Sequence, residues 1–406
     1  MNEELEVTRV LLSAYACEPN KGSEQEVGWQ RALHITAYAD EAWVVTRANN
    51  RAAIEAEQAS LPRGLNFLYY DLPPWMLKLK RRRGFLPIYM ALWQWGAYRV
   101  AAHRHRESRF DRVYHVTFCN LLTGSQMWRL GVPLIVGPIG GGERAPGQLR
   151  KSMPGWCRMQ EKARDLGIIA QRFNPLSWHA LKAAERIYVV SPESLRLVQH
   201  RWHAKTSIQL GIGHAGDAGG VSTARRPGQP RFVFAGRLLH WKGIHFAIKA
   251  LAEARAQMPA ATLTVFGEGP ARDWLSGLAA ELGIEDAVCF AGHLPRAQLM
   301  GQISSYTALV FPSLHDSGGL VVLEAMTAAV PVICLDLGGP GMMVDASCGV
   351  VVPTASSDEA NVVTAIAQAM TTMDGMQEND WSRLSAGAVL RARELSWSRL
   401  TARVTA

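Results

Sequence analysis

Short runs of β-branched and aromatic residues that end in glycine and lead into helix-periodic stretches recur down this chain. RFVFAG, LTVFGEGP and VCFAGHL occupy the second half, and Val10 to Ala14, RVYHV and VPLIVGPIGGG the first. Strands separated by helical stretches must pair in parallel, because a parallel neighbour is reached only by a crossover. Such sheets are buried on both faces under their helices, and they hold ligands beyond the carboxyl ends of their strands. At 406 residues the chain exceeds a usual single domain, so two α/β domains with parallel sheets are expected. The Gly-, Ala- and Pro-rich segment 203–230 reads as their connection.

The second half carries the most informative stretch, FPSLHDSGGLVVLEAM, from Phe311 to Met326. Ser317, Gly318 and Gly319 lead into an apolar helix, whose first amides and positive dipole end face whatever anion lies above. Asp316 stands in the loop and Glu324 on the helix, two carboxylates that can hold a sugar ring or a ribose. The same stretch also reads as an ordinary turn capped by Asp316 and Ser317.

Upstream, the strand Phe232–Phe234 ends at Ala235-Gly236, and Arg237 and Lys242 follow before the helical pattern of Ile244, Ala247, Ile248 and Leu251. An arginine fork and a mobile lysine on one loop can meet a diphosphate from two sides. Gly267, within VFGEGP, ends another strand where a second group can approach the backbone closely.

Taken in order, FAGRLLHWKGIHFAIKAL, LTVFGEGP, FAGHLPRAQL, PSLHDSGGLVVLEAM and VPVICLDLGGPG resemble the retaining glycosyltransferases of the GT-B class, family 4. The resemblance covers most of the C-terminal half. It implies two Rossmann-like, doubly wound parallel-sheet α/β domains facing a cleft. Residues 1–205 are expected to bind acceptor and 206–385 the nucleotide sugar, with 386–406 a helix crossing back to the first domain. By the same resemblance Arg237 and Lys242 bind the diphosphate and Glu324 the ribose hydroxyls. The amides of Gly318, Gly319 and Leu320 hold phosphate or sugar, with Gly236, Gly267 and Ser317 beside them. His293 and Leu294 face the base. Asp316 stands where the family usually has glutamate, which shortens the reach to the sugar by one methylene, and Gly318 replaces the usual aromatic.

In the first half, Gly22 and Ser23 open the stretch GSEQEVGWQRALHI, where Ser23 and Glu26 have capping-box spacing. The resemblance sets the Gly22 and Ser23 amides against the donor diphosphate. His115 ends the strand RVYHV; a strand histidine is often a satisfied core residue, and the resemblance places one here beside the reacting sugar.

Net charge is +8, and Lys78, Lys80, Arg81, Arg82 and Arg83 interleave with Trp75, Phe85, Trp93 and Trp95. That mixture suits an anionic membrane surface; no nucleic-acid motif accompanies it, so nucleic acid is not an expected partner. Six scattered cysteines without CxxC spacing argue against zinc and against a disulfide framework. No metal and no cofactor beyond the donor substrate is expected, since the chain contains no DxD triplet. Residues 1–6 are acidic and no apolar run approaches ~20 residues, so a cytoplasmic protein, peripheral on the inner membrane face, is expected.

The expected reaction is transfer of a hexose from a nucleotide diphosphate sugar to a saccharide, free or lipid-linked, with retention. Arg237, Lys242, Asp316 and His115 form its catalytic set, and no dedicated base is assigned. A nucleotide-sugar epimerase and a non-catalytic binding protein remain alternatives. A dehydrogenase does not fit, because the first strand leads into CEPNKGSE rather than GxGxxG.

Overall fold

A computed structural model describes residues 7–80, 85–215 and 229–405. By its internal contacts the chain divides into two units. The first comprises Met1–Gly142, Leu166–Ile212 and Trp397–Ala406, and the second Glu143–Asp165 and Gly213–Ser396.

The first unit is built on β1 (Arg9–Ser13), β2 (Glu41–Arg47), β3 (Leu65–Tyr70), β4 (Arg112–His115), β5 (Leu134–Ile139), β6 (Ala184–Val189) and β7 (Thr206–Ile208). They form one sheet in the order β3-β2-β1-β4-β5-β6-β7, with every pair parallel. Successive side chains of a strand point to opposite faces, and here both faces are apolar. Leu11 and Val45 join one core cluster, whereas Val10, Leu12, Ala42 and Val44 join another. Full burial of each such Val or Leu side chain is worth about 2 kcal/mol.

The helix Leu86–Glu107 begins with proline in its first turn and lays Tyr89, Met90, Trp93, Ala97 and Ala101 into the first cluster. Trp93 is fully buried and donates from Nε1 to the Tyr70 carbonyl at 3.0 Å, while Trp95 points outward, 40% exposed. The two tryptophans therefore do different work.

The second unit holds β8 (Arg231–Ala235), β9 (Thr262–Phe266), β10 (Val288–Gly292), β11 (Ala308–Phe311), β12 (Val332–Leu335) and β13 (Gly349–Val352). Their order is β10-β9-β8-β11-β12-β13, again all parallel. Phe234 of β8 and Phe311 of β11 stack with centroids 5.6 Å apart at the centre of the sheet. Both sheets are α/β and doubly wound, as the sequence pattern requires.

Element boundaries differ from the sequence reading at three places. Residues 206–208, read as part of the connection, form β7 and add an edge strand to β6; three residues on an exposed edge leave no hydrophobic period to detect. Residues 216–228 of that connection lie outside the described residues. Glu143–Asp165 cluster with the second unit, although they fall before residue 205. The helix Glu378–Glu394 also stays with the second unit, and only Trp397–Thr405 packs on the first. There Arg31 donates to the Leu400 carbonyl at 3.1 Å and Gln209 to the same oxygen at 2.6 Å, and Arg31 lies over the Trp397 ring. Among the described residues no helix is long and apolar enough to cross a membrane.

Candidate functional site

All strands of the second sheet run parallel, so the segments that follow them emerge along one edge. Every residue of this half singled out from sequence lies in such a segment or on the helix it opens. The sheet order reverses between β8 and β11, where open α/β sheets take their ligands.

Glycines bring these segments together. Gly267 has φ +133°, and a Cβ there would stand 1.9 Å from the Gly236 carbonyl oxygen, so only glycine fits. The Gly236 amide donates to Phe266 at 2.9 Å, and the Gly267 amide donates to Gly292 at 2.7 Å. Gly243, at φ +71°, would drive a Cβ to 1.9 Å from the Pro312 carbonyl oxygen, which presses the turn carrying Lys242 onto the chain leaving β11.

Lys242 ends the short helix His240–Lys242, and its ammonium forms an ion pair with Asp316 Oδ2. The side chains are 18% and 16% exposed, so the pair is only partly screened. Lys242 also lies 5.1 Å from the Phe311 ring centroid. Asp316 Oδ1 accepts the Gly318 amide at 3.3 Å, and its carbonyl accepts the Gly339 amide at 2.8 Å. Gly319, at φ +83°, caps the helix Leu320–Thr327 without any side-chain capping bond, and Leu320 is its first residue. Glu324 on that helix is 7% exposed and accepts from Arg296 Nε at 2.5 Å. Arg237 is exposed and has no ion pair among the described residues, Ser317 is half-buried, His293 is exposed and Leu294 half-buried.

Four residues that the sequence reading passed over, Glu161, His240, His315 and Trp241, lie behind these loops. Glu161, on the helix Gly155–Arg172, is 1% exposed, and its Oε1 stands 2.9 Å from His240 Nε2 and 3.1 Å from His315 Nε2. Burial raises the Glu161 pKa, but the two histidine hydrogen bonds outweigh it and hold the carboxyl well below its ordinary range. Burial lowers the pKa of His315, against the opposing pull of Glu161. Trp241, between the loops, stacks on His315 with centroids 5.2 Å apart. Arg296, the partner of Glu324, is a fifth such residue. A histidine directly before Asp316 and another two residues before Lys242 were the available cue; Glu161 had none.

In the first unit, His115 ends β4 and is 3% exposed, with Nδ1 3.1 Å from Ser13 Oγ. It lines a small cavity with Asn120, Ser125 and Ser177. Burial lowers its pKa to about 4, so it is a neutral hydrogen-bonding group at ordinary pH. Gly22, at φ +65°, is the N-cap of the helix Ser23–Ile35. Glu26, with the capping-box spacing, accepts Gln30 Nε2 at 2.8 Å.

The basic aromatic segment divides. Trp75 is 61% exposed and Lys78 is exposed, but Lys80 turns inward to donate to Tyr15 Oη at 2.6 Å. Arg81, Arg82 and Arg83 lie outside the described residues.

Residues 221–379 match the family model described as glycosyl transferases group 1. A glycogen synthase of Mycobacterium tuberculosis is 40% identical over 120 residues, 29% of this chain and 29% of that protein. The alignment thus spans under a third of that relative's length. Among solved structures, the sucrose-phosphate synthase of Thermosynechococcus elongatus aligns with TM-score 0.63 and 19% identity over 98% of this chain and 97% of its own. HepE of Anabaena in complex with UDP aligns with TM-score 0.60 and 15% identity over 98% of each chain.

Proposed function

We propose, on the premise that residues 221–379 belong to the group 1 glycosyltransferases and that the chain has the GT-B fold, that it transfers a hexose from a nucleotide diphosphate sugar to a saccharide acceptor with retention. The observation that carries this reading is the convergence of Lys242, Asp316, Gly319 and Glu324 at the carboxyl ends of β8 and β11.

The chemical difficulty is charge. As the glycosidic bond breaks, negative charge grows on the departing diphosphate and positive charge on the sugar ring. Lys242, held in place by Asp316, and the exposed Arg237 stabilise the first, together with amides at the start of the helix Leu320–Thr327. Glu324, oriented by Arg296, takes the ribose hydroxyls, and His293 and Leu294 flank the base. Asp316 accepts from hydroxyls of the transferred sugar through the lone pairs that Lys242 and Gly318 leave free.

Retention places the acceptor on the face from which the phosphate departs, so a phosphate oxygen of the leaving group takes the acceptor proton. Neutral His115 and the amides of Gly22 and Ser23 are assigned to the first unit's share of substrate binding. HepE, solved with UDP, supports a nucleotide-linked donor. A lipid-linked acceptor is supported by the exposure of Trp75, Ile88, Leu92 and Trp95, with Lys78 exposed on the same helix as Trp75.

A thermal-shift panel of UDP-, GDP- and ADP-sugars tests the reading. One of them should raise the unfolding midpoint by mass action in the wild type and fail to do so in Lys242→Ala. No shift with any of them removes the basis for a nucleotide-sugar transferase.

A further inference from the structure

We propose that Arg47 and Lys80, at the carboxyl edge of the first unit's sheet, form a receptor for a phosphate group carried by the acceptor. This inference rests on the transferase reading and narrows its acceptor to a phosphorylated compound.

The receptor is assembled where β1, β2 and β3 end. Tyr15 follows β1, Arg47 is the last residue of β2 and Asp71 comes directly after β3. Lys80 follows the helix Pro74–Leu79, and Tyr89 projects from the helix Leu86–Glu107. Lys80 Nζ donates to Tyr15 Oη at 2.6 Å and stands 5.2 Å and 5.1 Å from the ring centroids of Tyr15 and Tyr89. Arg47 Cζ lies 5.1 Å from the Tyr15 centroid, and Tyr89 Oη donates to Asp71 Oδ1 at 2.8 Å. Two cations thus face a single carboxylate, and one positive charge is in excess.

Arg47 is the telling member. Its side chain is only 19% exposed, its nearest carboxylate oxygen is 3.8 Å away, and it makes no hydrogen bond among the described residues. Its Nε is buried without a hydrogen bond, and leaving that donor unmet is costly. A phosphate accepts two parallel bonds from that fork and a point charge from lysine. Burial and the neighbouring Arg47 both lower the Lys80 pKa, and an anion between the two cations would relieve that repulsion. The pair lies at the carboxyl ends of the strands, the edge along which parallel sheets take ligands, with Tyr15 following β1 beside the reversal of strand order and Arg47 one strand away on β2. The donor phosphates are assigned to the second unit's loops and to the Gly22 and Ser23 amides, a set that includes neither Arg47 nor Lys80, so a phosphate held by this pair is assigned to the acceptor.

The test is calorimetric titration of the intact chain with inorganic phosphate and with glycerol 3-phosphate, in a Lys242→Ala/Arg237→Ala background that removes both donor-loop cations. Sedimentation with phosphatidic acid vesicles supplies a lipid arm. Adding Arg47→Met or Lys80→Met should weaken binding about tenfold. Arg47→Lys, which keeps the charge but loses the fork, serves if the methionine variant does not fold. A loss seen with glycerol 3-phosphate assigns a water-borne phosphate ester, and a loss seen only with vesicles assigns a lipid phosphate. Unchanged affinity in both arms overturns the proposal. Nucleotide-sugar binding, measured separately with Lys242 and Arg237 intact, isolates the parent reading: its absence sinks that reading, and its presence beside unchanged phosphate affinity sinks this proposal alone.

Discussion

Glu161 Oε1 stands 2.9 Å from His240 Nε2, with His315 as its second partner at 3.1 Å, both inside the second unit. One buried carboxylate therefore ties the turn bearing Lys242 to the loop bearing Asp316. Glu161→Gln keeps the volume but loses the charge that both histidines address. We expect a stability loss of about 1–3 kcal/mol by denaturant titration. Turnover should fall more than donor affinity, since the loops persist but their relative placement loosens. Wild-type turnover in a folded Glu161→Gln protein would show that the bridge serves the fold alone.

Acid should unfold this protein early, for two reasons of the same sign. His115 and Glu161 both have folded-state pKa values below their ordinary ones, so the unfolded chain binds more protons as pH falls. For His115 the window runs from ~6.5 down to about 4, where up to about 3 kcal/mol is lost. Glu161 adds its loss below the ordinary carboxylate range. In His115→Gln the stability difference between pH 7 and pH 4.5 should shrink measurably, and an unchanged difference would count against a buried neutral histidine.

Lys242→Ala should lower turnover by about 100- to 1000-fold, the cost of removing one preorganised group at a developing oxyanion. Folding should change by only about 1 kcal/mol, because the partner Asp316 is partly exposed and can be hydrated. Steady-state kinetics beside a melting curve separate the two effects.

Gly243→Ala should be damaging, because Gly243 and the Pro312 it meets are both buried. The added methyl meets the Pro312 carbonyl and the backbone is held at φ +71°. We expect about 2–4 kcal/mol of destabilisation, or a displaced turn visible as lost donor binding. A melting midpoint and donor affinity equal to the wild type's would contradict this packing.

The second unit was the legible one. Each of its strands ends at a turn or glycine whose chemistry is local, and Arg237, Lys242, Asp316 and Glu324 stand where strand–loop–helix reasoning puts ligand groups. What could not be read was pairing across distance. Lys242 and Asp316 were each nominated for a ligand, yet they also bind each other, and nothing in sequence announces a contact between remote loops. Glu161 sits in a helix without a motif, and its significance exists only through two histidines brought to it by other segments. Arg296 was hidden for the same reason. Local signals also misled: Ser23 and Glu26 had the spacing of a capping box, but Gly22 takes the cap because its left-handed backbone turns the chain there. Lys80 was counted with surface cations, and the aromatic rings of Tyr15 and Tyr89 draw it inward instead.

The membership of Trp397–Thr405 in the first unit has a consequence for how the molecule is made. Arg31, Tyr188 and Gln209 all direct hydrogen bonds to main-chain oxygens of that final segment. During synthesis the first unit cannot be completed until residues 397–405 have been made, although the second unit has all its strands before then. The first sheet is thus completed only after the second unit's strands have been made, and deleting residues 397–405 should injure the first unit's sheet before it injures the second unit.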